Sequence, residues 1–305
     1  MEYLPHLVVA IAFVLFVWYV VKESRSSRRN PPSRPGPLER SSNQRSPLSS
    51  ATTPKTTGSG AAGWLCSPEE VFTKEHVSFT RLKLFDQCPR RFELVYLMGT
   101  ADPVGKPAEV GSVVHRLLEL YTGANSGSAS KGLRIKAGAA ETILENYDSA
   151  IAAVQPRHSI SRHELLPYCR SFVDLNKGTV QVFAWEHHCE GSIGSRKLKC
   201  IVDRIDTDGE GGWTIVDYKT GNPRYAVNEQ LNVYGHALHD GQSRTMKLQY
   251  QFLKTGETRS WTFTPSVQRA TADWLQRRVE RIESARIFPQ KRTPLCHYCG
   301  VSHFC

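Results

Sequence analysis

No Gly-x-x-x-x-Gly-Lys-Ser/Thr loop occurs in the sequence, which excludes the common phosphate-cradling nucleotide motor. No segment repeats at a fixed period, so a solenoid is excluded as well. The apolar run at residues 7–21 has fifteen residues, where about 20 are usual for a bilayer span. No Lys or Arg precedes it and no small-x-small site follows it, which argues against a cleaved signal peptide. From about Ser24 to Gly63 large apolar side chains are almost missing, so that stretch cannot bury enough surface to order itself. Excess charge is scarce where a fold is expected. The whole chain carries a formal +10, of which residues 22–60 supply +6 and Glu2 removes one, leaving +5 for residues 61–305. A polyanionic partner must therefore be argued from a site and not from net charge.

What is present falls into three zones. The run LVVAIAFVLFVWYVV, with Leu4 before it and Trp18 and Tyr19 at headgroup level, reads as a retained membrane helix over residues 1–23. Lys22, Arg25, Arg28 and Arg29 then hold the C-terminal side in the cytosol. An Arg- and Ser-rich, acid-poor stretch is equally compatible with organelle targeting, and that alternative stays open. Residues 24–63 read as a flexible basic linker. From Trp64 to Cys305 the texture is that of a folded domain, within a chain that is 40% hydrophobic and 22% charged.

Periodicity in this zone predicts helices over residues 80–98, 110–121, 139–154, 162–175, 226–238 and 267–286. It predicts strands over residues 180–187, 198–206, 213–219, 246–253 and 259–263. Asp208-Gly209-Glu210-Gly211-Gly212 and Thr255-Gly256 mark two hairpins. The order implies an α/β fold with a mixed central sheet flanked by helices.

The most informative segment is IVDRIDTDGEGGWTIVDYKTG, residues 201–221. Residues two apart on a strand share a face, so Asp217 and Lys219 point one way and Tyr218 the other. A turn centred near Glu210 sets Asp203 opposite Asp217, with Cβ atoms about 5 Å apart. Two facing carboxylates within apolar strands repel unless a cation lies between them, and all-oxygen ligation suits Mg²⁺ or Mn²⁺. A lysine beside such an ion can orient water or stabilise charge on a phosphate. Asp206, Asp208 and Glu210 read as ordinary exposed hairpin charges.

There are eight cysteines. Cys296-x-x-Cys299-x5-Cys305 places three thiols within ten residues, awkward to pair as disulfides and suited to a metal or cluster. A fourth ligand must come from far away in sequence. Cys88, just ahead of Pro89, is the candidate, since that proline can open a helix and place the thiol at its N-terminus. Cys66, Cys169, Cys189 and Cys200 read as small apolar residues, and reduced thiols imply a reducing compartment.

Asp203, followed by Asp217-Tyr218-Lys219 on the next strand, resembles the nuclease core of RecB-type PD-(D/E)XK enzymes. Gly111-Ser112-Val113-Val114-His115 resembles the family's upstream Gly-x-x-x-His, and Gln230-Leu231-Asn232-Val233-Tyr234 its downstream Gln-x-x-x-Tyr helix. The resemblance spans about residues 78–305 and implies a restriction-endonuclease-like core. It implies that His115, Asp203 and Asp217 hold Mg²⁺ or Mn²⁺, that Lys219 acts on the attacking water, and that Gln230 and Tyr234 hold the substrate strand. Glu186 corresponds weakly to a glutamate often found in such enzymes and reads otherwise as a solvated strand residue. The segment SFTRLKLFDQCPRRF with the terminal cysteines is similar to AddB-type domains, CRISPR-associated adaptation nucleases and exonuclease V. In those relatives four cysteines bind a [4Fe–4S] cluster, which implies Cys88, Cys296, Cys299 and Cys305 as ligands here. Zinc is the alternative, with His297 and His303 allowing a mixed site. The implied activity is cleavage of DNA, single strands or ends favoured, in repair or recombination. A catalytically silent nucleic-acid-binding or membrane-tethered scaffold module is the rival reading. Some relatives work with a helicase, and none is assigned here.

Overall fold

The computed structural model describes residues 63–126, 132–239 and 245–305. The apolar run at residues 7–21 and the basic linker lie outside them. Among the described residues no helix is long and apolar enough to cross a membrane.

The sheet is built from β-branched and aromatic runs separated by glycine turns. A three-residue strand β1 (Leu133–Ile135) pairs antiparallel with β2 (Gly178–Val180) as a separate ribbon. The main sheet follows with β3 (Val182–Ile193), β4 (Arg196–Thr207), β5 (Trp213–Lys219), β6 (Met246–Phe252) and β7 (Glu257–Phe263). Its spatial order is β3-β4-β5-β6-β7. β5 and β6 run parallel and the other neighbours antiparallel, so the sheet is mixed, as predicted. β3 and β4 are longer than the pattern implied. Their hairpin closes at Gly194, whose φ of +56° suits a residue without Cβ, and this turn is absent from the sequence prediction.

Helices cover both faces. Those ahead of β1 are α1 (Val71–Lys74), α2 (Phe79–Gln87), α3 (Pro89–Phe92) and α4 (Lys106–Asn125). Between the strands lie α5 (Ala139–Leu144), α6 (Tyr147–Val154), α7 (Arg162–Leu175) and α8 (Glu229–Leu238), and α9 (Pro265–Glu283) follows β7. On one face Ile205, Ile215, Leu248 and Tyr250 pack with Leu82 of α2, Leu231 of α8 and Leu275 of α9. On the other, Val216, Tyr218 and Leu253 pack with Val114 and Leu117 of α4 and Phe172 of α7.

Two predicted helices are broken, each for a local reason. The span 80–98 divides at Cys88, whose φ of −160° and ψ of 105° are extended. Pro89 disfavours the helical conformation in the residue before it and opens α3 at its own first position. Glu93–Leu97 then continues as a π-helical turn. The span 139–154 divides around Glu145 and Asn146.

Behind β4 and β5 lies a polar network that the pattern did not announce. Arg204 is 2% exposed. It donates to the Tyr218 hydroxyl (3.0 Å), to Asn176 Oδ1 (2.8 Å) and to Asp206 Oδ2 (3.0 Å). Asn176 and Gln251 exchange two further bonds at 2.8 and 2.9 Å. Asp206 is therefore half-buried against a guanidinium, in contrast to the exposed hairpin charge expected. Removing one partner of such a pair strands the others in low dielectric, at a cost of about 3–5 kcal/mol. Arg204→Met should lower the unfolding free energy by that amount in urea titrations; a loss below about 1 kcal/mol would show the network to be dispensable.

Candidate active site

β4 and β5 pair with Arg204 opposite Val216 and Ile205 opposite Ile215, the register that sets Asp203 across from Asp217. At that step the Asp203 side chain takes over from the backbone: its Oδ2 accepts the Tyr218 N–H at 2.6 Å. Its Oδ1 lies 3.1 Å from His115 Nδ1, on α4. Gly111, one turn earlier, lets that helix come close, since a Cβ there would sit 3.0 Å from Thr220 Oγ1 just after β5. The upstream Gly-x-x-x-His thus has a steric meaning: the glycine brings the helix in and the histidine reaches the carboxylate.

Glu186 joins them. Among the described residues, His115, Glu186 and Asp203 are the one group of three ligating side chains whose donor atoms lie within 4.8 Å of one another. This corrects the reading of Glu186 as a solvated strand residue. The backbone explains how it enters. On β4, Leu198, Cys200 and Val202 share a face with Ile205; on β3, Ala184 shares that face with Cys189 and Ile193. Strict alternation cannot put odd and even positions on one face, so it slips in each strand, and on β3 the pairing register also shifts between Val182 and Ala184. The slips bracket Glu186, at φ 42°, and Asp203, and the pairs on either side are Trp185 with Arg204 and His187 with Val202. A non-glycine residue held at such φ costs roughly 1–3 kcal/mol, and such strain gathers at functional sites.

Asp217 is 2% exposed and engaged on its other side. Lys219 Nζ stands 2.5 Å from its Oδ2 as an ion pair. Gln230, in the first turn of α8, ties the group together. Its amide nitrogen donates to Asp217 Oδ1 (3.1 Å) and to Tyr234 Oη (2.8 Å), while its oxygen accepts from Lys219 Nζ (2.9 Å). Tyr234 is only 9% exposed and lies beneath the site. Of the pair expected to hold a strand, the structure thus places Gln230 as the organiser of acid and lysine and Tyr234 as its support.

The charges press on one another. Burial would depress the His115 imidazole, but the charge and hydrogen bond of Asp203 outweigh it and lift it to about 9. Burial opposes ionisation of Asp203, yet His115 and the Tyr218 N–H hold it below its ordinary value. Burial raises Asp217 to about 6, Lys219 opposing and Asp203 reinforcing the rise. Burial, and then repulsion from Asp203, raises Glu186 to about 7. One imidazole nitrogen and converging carboxylate oxygens suit a hard divalent cation.

At the C-terminus, Cys296 lies in a 3₁₀ turn (Pro294–Tyr298) and Cys299 follows it. Burial raises the Cys305 thiol, and Cys88, Cys299 and Cys296 are near enough to reinforce the rise. All eight cysteines are free thiols. Gly300 has no room for a side chain, because a Cβ would stand 2.6 Å from the Pro103 backbone. No three of these sulfurs converge within 4.8 Å, unlike the His115 group.

A carboxyl whose folded pKa is raised opposes folding above its unfolded value. For Glu186 the penalty grows from about pH 4.5 and is complete above about pH 7. In EDTA, Glu186→Gln should therefore stabilise the protein at pH 7.5, on the order of 2 kcal/mol, and change little at pH 4.5. Urea midpoints at the two pH values check this; parallel shifts at both would remove Glu186 from the charged cluster.

Two solved structures show partial similarity to the chain. One is a candidate exonuclease from Eubacterium rectale, 14% identical, covering 76% of this chain and 88% of its own, with a TM-score of 0.40. The other, SSO0001, is 16% identical, covering 63% of this chain and 93% of its own, with a TM-score of 0.33. At those scores neither bears on activity. No curated protein matches the sequence. The PD-(D/E)XK nuclease superfamily model matches residues 76–305, which runs from just ahead of α2 through the acidic hairpin to the last cysteine. With that match over most of its length, the chain belongs to the PD-(D/E)XK nuclease superfamily.

Proposed function

We propose that the protein is a Mg²⁺- or Mn²⁺-dependent DNA nuclease of the RecB/AddB-like type, favouring single strands or DNA ends and serving repair or recombination. The observation that carries this reading is the convergence of His115, Glu186 and Asp203 beside the Asp217–Lys219 pair. His115, Glu186 and Asp203 hold the ion, with Asp217 at its edge. The ion supplies Lewis-acid activation of the phosphodiester. Lys219, kept in place by Gln230 and Asp217, directs its ammonium at the attacking water or at charge building on the phosphate. Lys219→Ala and Asp217→Asn should each lower Mn²⁺-dependent cleavage of labelled DNA by about 100-fold or more with the fold intact. Wild-type turnover in either would place the site elsewhere, and a wild-type chain that binds DNA without cleaving it would make this a silent module.

Cys88, Cys296, Cys299 and Cys305 are assigned to a [4Fe–4S] cluster. Zinc held by the same four thiols is the alternative. Ser at any of the four should bleach the visible absorption of an anaerobic preparation and lower its melting temperature, whereas Ser at Cys169 should leave the absorption intact. Stoichiometric zinc without iron would replace the cluster with a zinc staple. Residues 1–23 are assigned as a membrane anchor and 24–63 as a linker, with the domain from residue 64 on the cytosolic side. This rests on the sequence pattern, and carbonate extraction of the full chain against one lacking residues 1–63 tests it.

A further inference from the structure

Beside the acid–lysine pair a groove remains that this chemistry does not use. It is a cavity of about 330 Å³ between α2, α9 and the segment running to Cys296. Lys83, Arg278 and Lys291 line it, with Trp274, Asp86 and Glu229. Three cations thus face two carboxylates. Asp86 is already taken, since Arg278 Nε binds it at 2.8 Å, Arg281 also binds it, and Lys291 donates to its backbone carbonyl at 3.1 Å.

Lys83 is the exception among these cations. It makes no hydrogen bond or ion pair among the described residues, its nearest recorded contact being the Phe79 ring at 5.8 Å. Burial lowers its pKa, and Lys219 and Asp217 are the charged groups that bear on it. Glu229 in the groove wall directly precedes Gln230, which binds both Lys219 and Asp217, so the groove lies next to the acid–lysine pair, and Lys83 stands there half-buried with no hydrogen bond or ion pair of its own among the described residues. Such a group is costly unless an anion meets it.

The wall beyond is aromatic. Trp274 stacks on Phe79 with ring centroids 6.3 Å apart and planes inclined by 21°. The Arg278 guanidinium lies 4.4 Å from the Trp274 ring centre. Phe79, Trp274 and Arg278 all line the groove and form a platform of two rings and a guanidinium, groups on which bases stack. Only an unpaired base can reach such a platform, because duplex bases are stacked on their neighbours.

We propose that this groove is the path of single-stranded DNA at the active site, Lys83 taking a backbone phosphate and the Trp274–Arg278 platform a base. The assignment rests on the nuclease reading above and adds to it where the strand runs. The test is binding of fluorescein-labelled dT15 to the full chain in EDTA, where no cleavage occurs, with a 15-base-pair duplex in parallel. Lys83→Ala and Trp274→Ala should each weaken dT15 binding by roughly 5- to 50-fold. Trp274→Phe should recover to within about 3-fold, and duplex affinity should not change. Lys83→Ala should also reduce the slope of log Kd against log salt by about 0.7, one phosphate contact on a single strand. Unchanged dT15 affinity in Lys83→Ala, or an equal loss for the duplex, overturns the proposal. Where Trp274→Ala loses its thermal transition, Lys83→Ala and Trp274→Phe decide. The nuclease reading is judged apart, by Mn²⁺-dependent cleavage in the wild type, so either can fail without the other.

Discussion

Three carboxylates, Glu186, Asp203 and Asp217, come from the adjacent strands β3, β4 and β5 of one sheet, and the cost of burying like charge there governs how the rest is built. Each is compensated differently. Asp203 is held ionised by His115 and a backbone N–H. Asp217 has a lysine and an amide. Glu186 makes no hydrogen bond or ion pair among the described residues, and burial pushes it towards its protonated form against the charge of His115. Without a cation the cluster is half-satisfied, and half-satisfied networks are the costly ones. A divalent ion would remove the repulsion in one step, so the same groups that weaken the metal-free fold are suited to hold one.

The neighbouring elements maintain that arrangement. A strand in regular alternation would turn either Glu186 or its neighbours away from the side on which His115 and Asp203 meet; the irregularity at φ 42° brings it in. On the reverse of the sheet, Arg204 anchors Tyr218 through its hydroxyl. The Tyr218 amide is the donor that fixes Asp203. The buried network and the carboxylate cluster therefore share one residue, and sheet rigidity is transmitted to the site through it.

Much of this was legible in the sequence because it depends on period and spacing. Glu210 midway between Asp203 and Asp217 fixes the hairpin register, and Asp217-x-Lys219 fixes a shared face. His115 and Gln230 entered through family resemblance, and their physical reasons, the close approach at Gly111 and the bridging amide, became visible only in three dimensions. Glu186 entered only as a weak family match, because a positive φ inside a strand leaves no trace in a hydrophobic pattern. Arg204 escaped because a charged residue in a strand reads as solvent-facing unless its partners are known, and Asn176 and Gln251 lie 28 and 47 positions away in sequence. The break at Cys88 was foreshadowed by Pro89, although apolar periodicity alone ran through it.

α2 connects the two chemistries of the domain. It carries Lys83 at the groove and ends at Cys88, while Asp86 near its C-terminus holds Arg278 and Arg281 of α9. The segment before Cys296 crosses the same helix, with Lys291 bonded to the Asp86 carbonyl and the Arg90 N–H bonded to the Pro289 carbonyl. A group ligated by Cys88 and the three terminal cysteines would close a loop of roughly two hundred residues, whose entropy would otherwise favour the open chain. Ligation would then fix α2 against α9 and the C-terminal segment, the three elements that wall the groove. The proposed cluster need not touch DNA to matter for DNA: by clamping those elements it would set the width of the path along which a strand reaches Lys219.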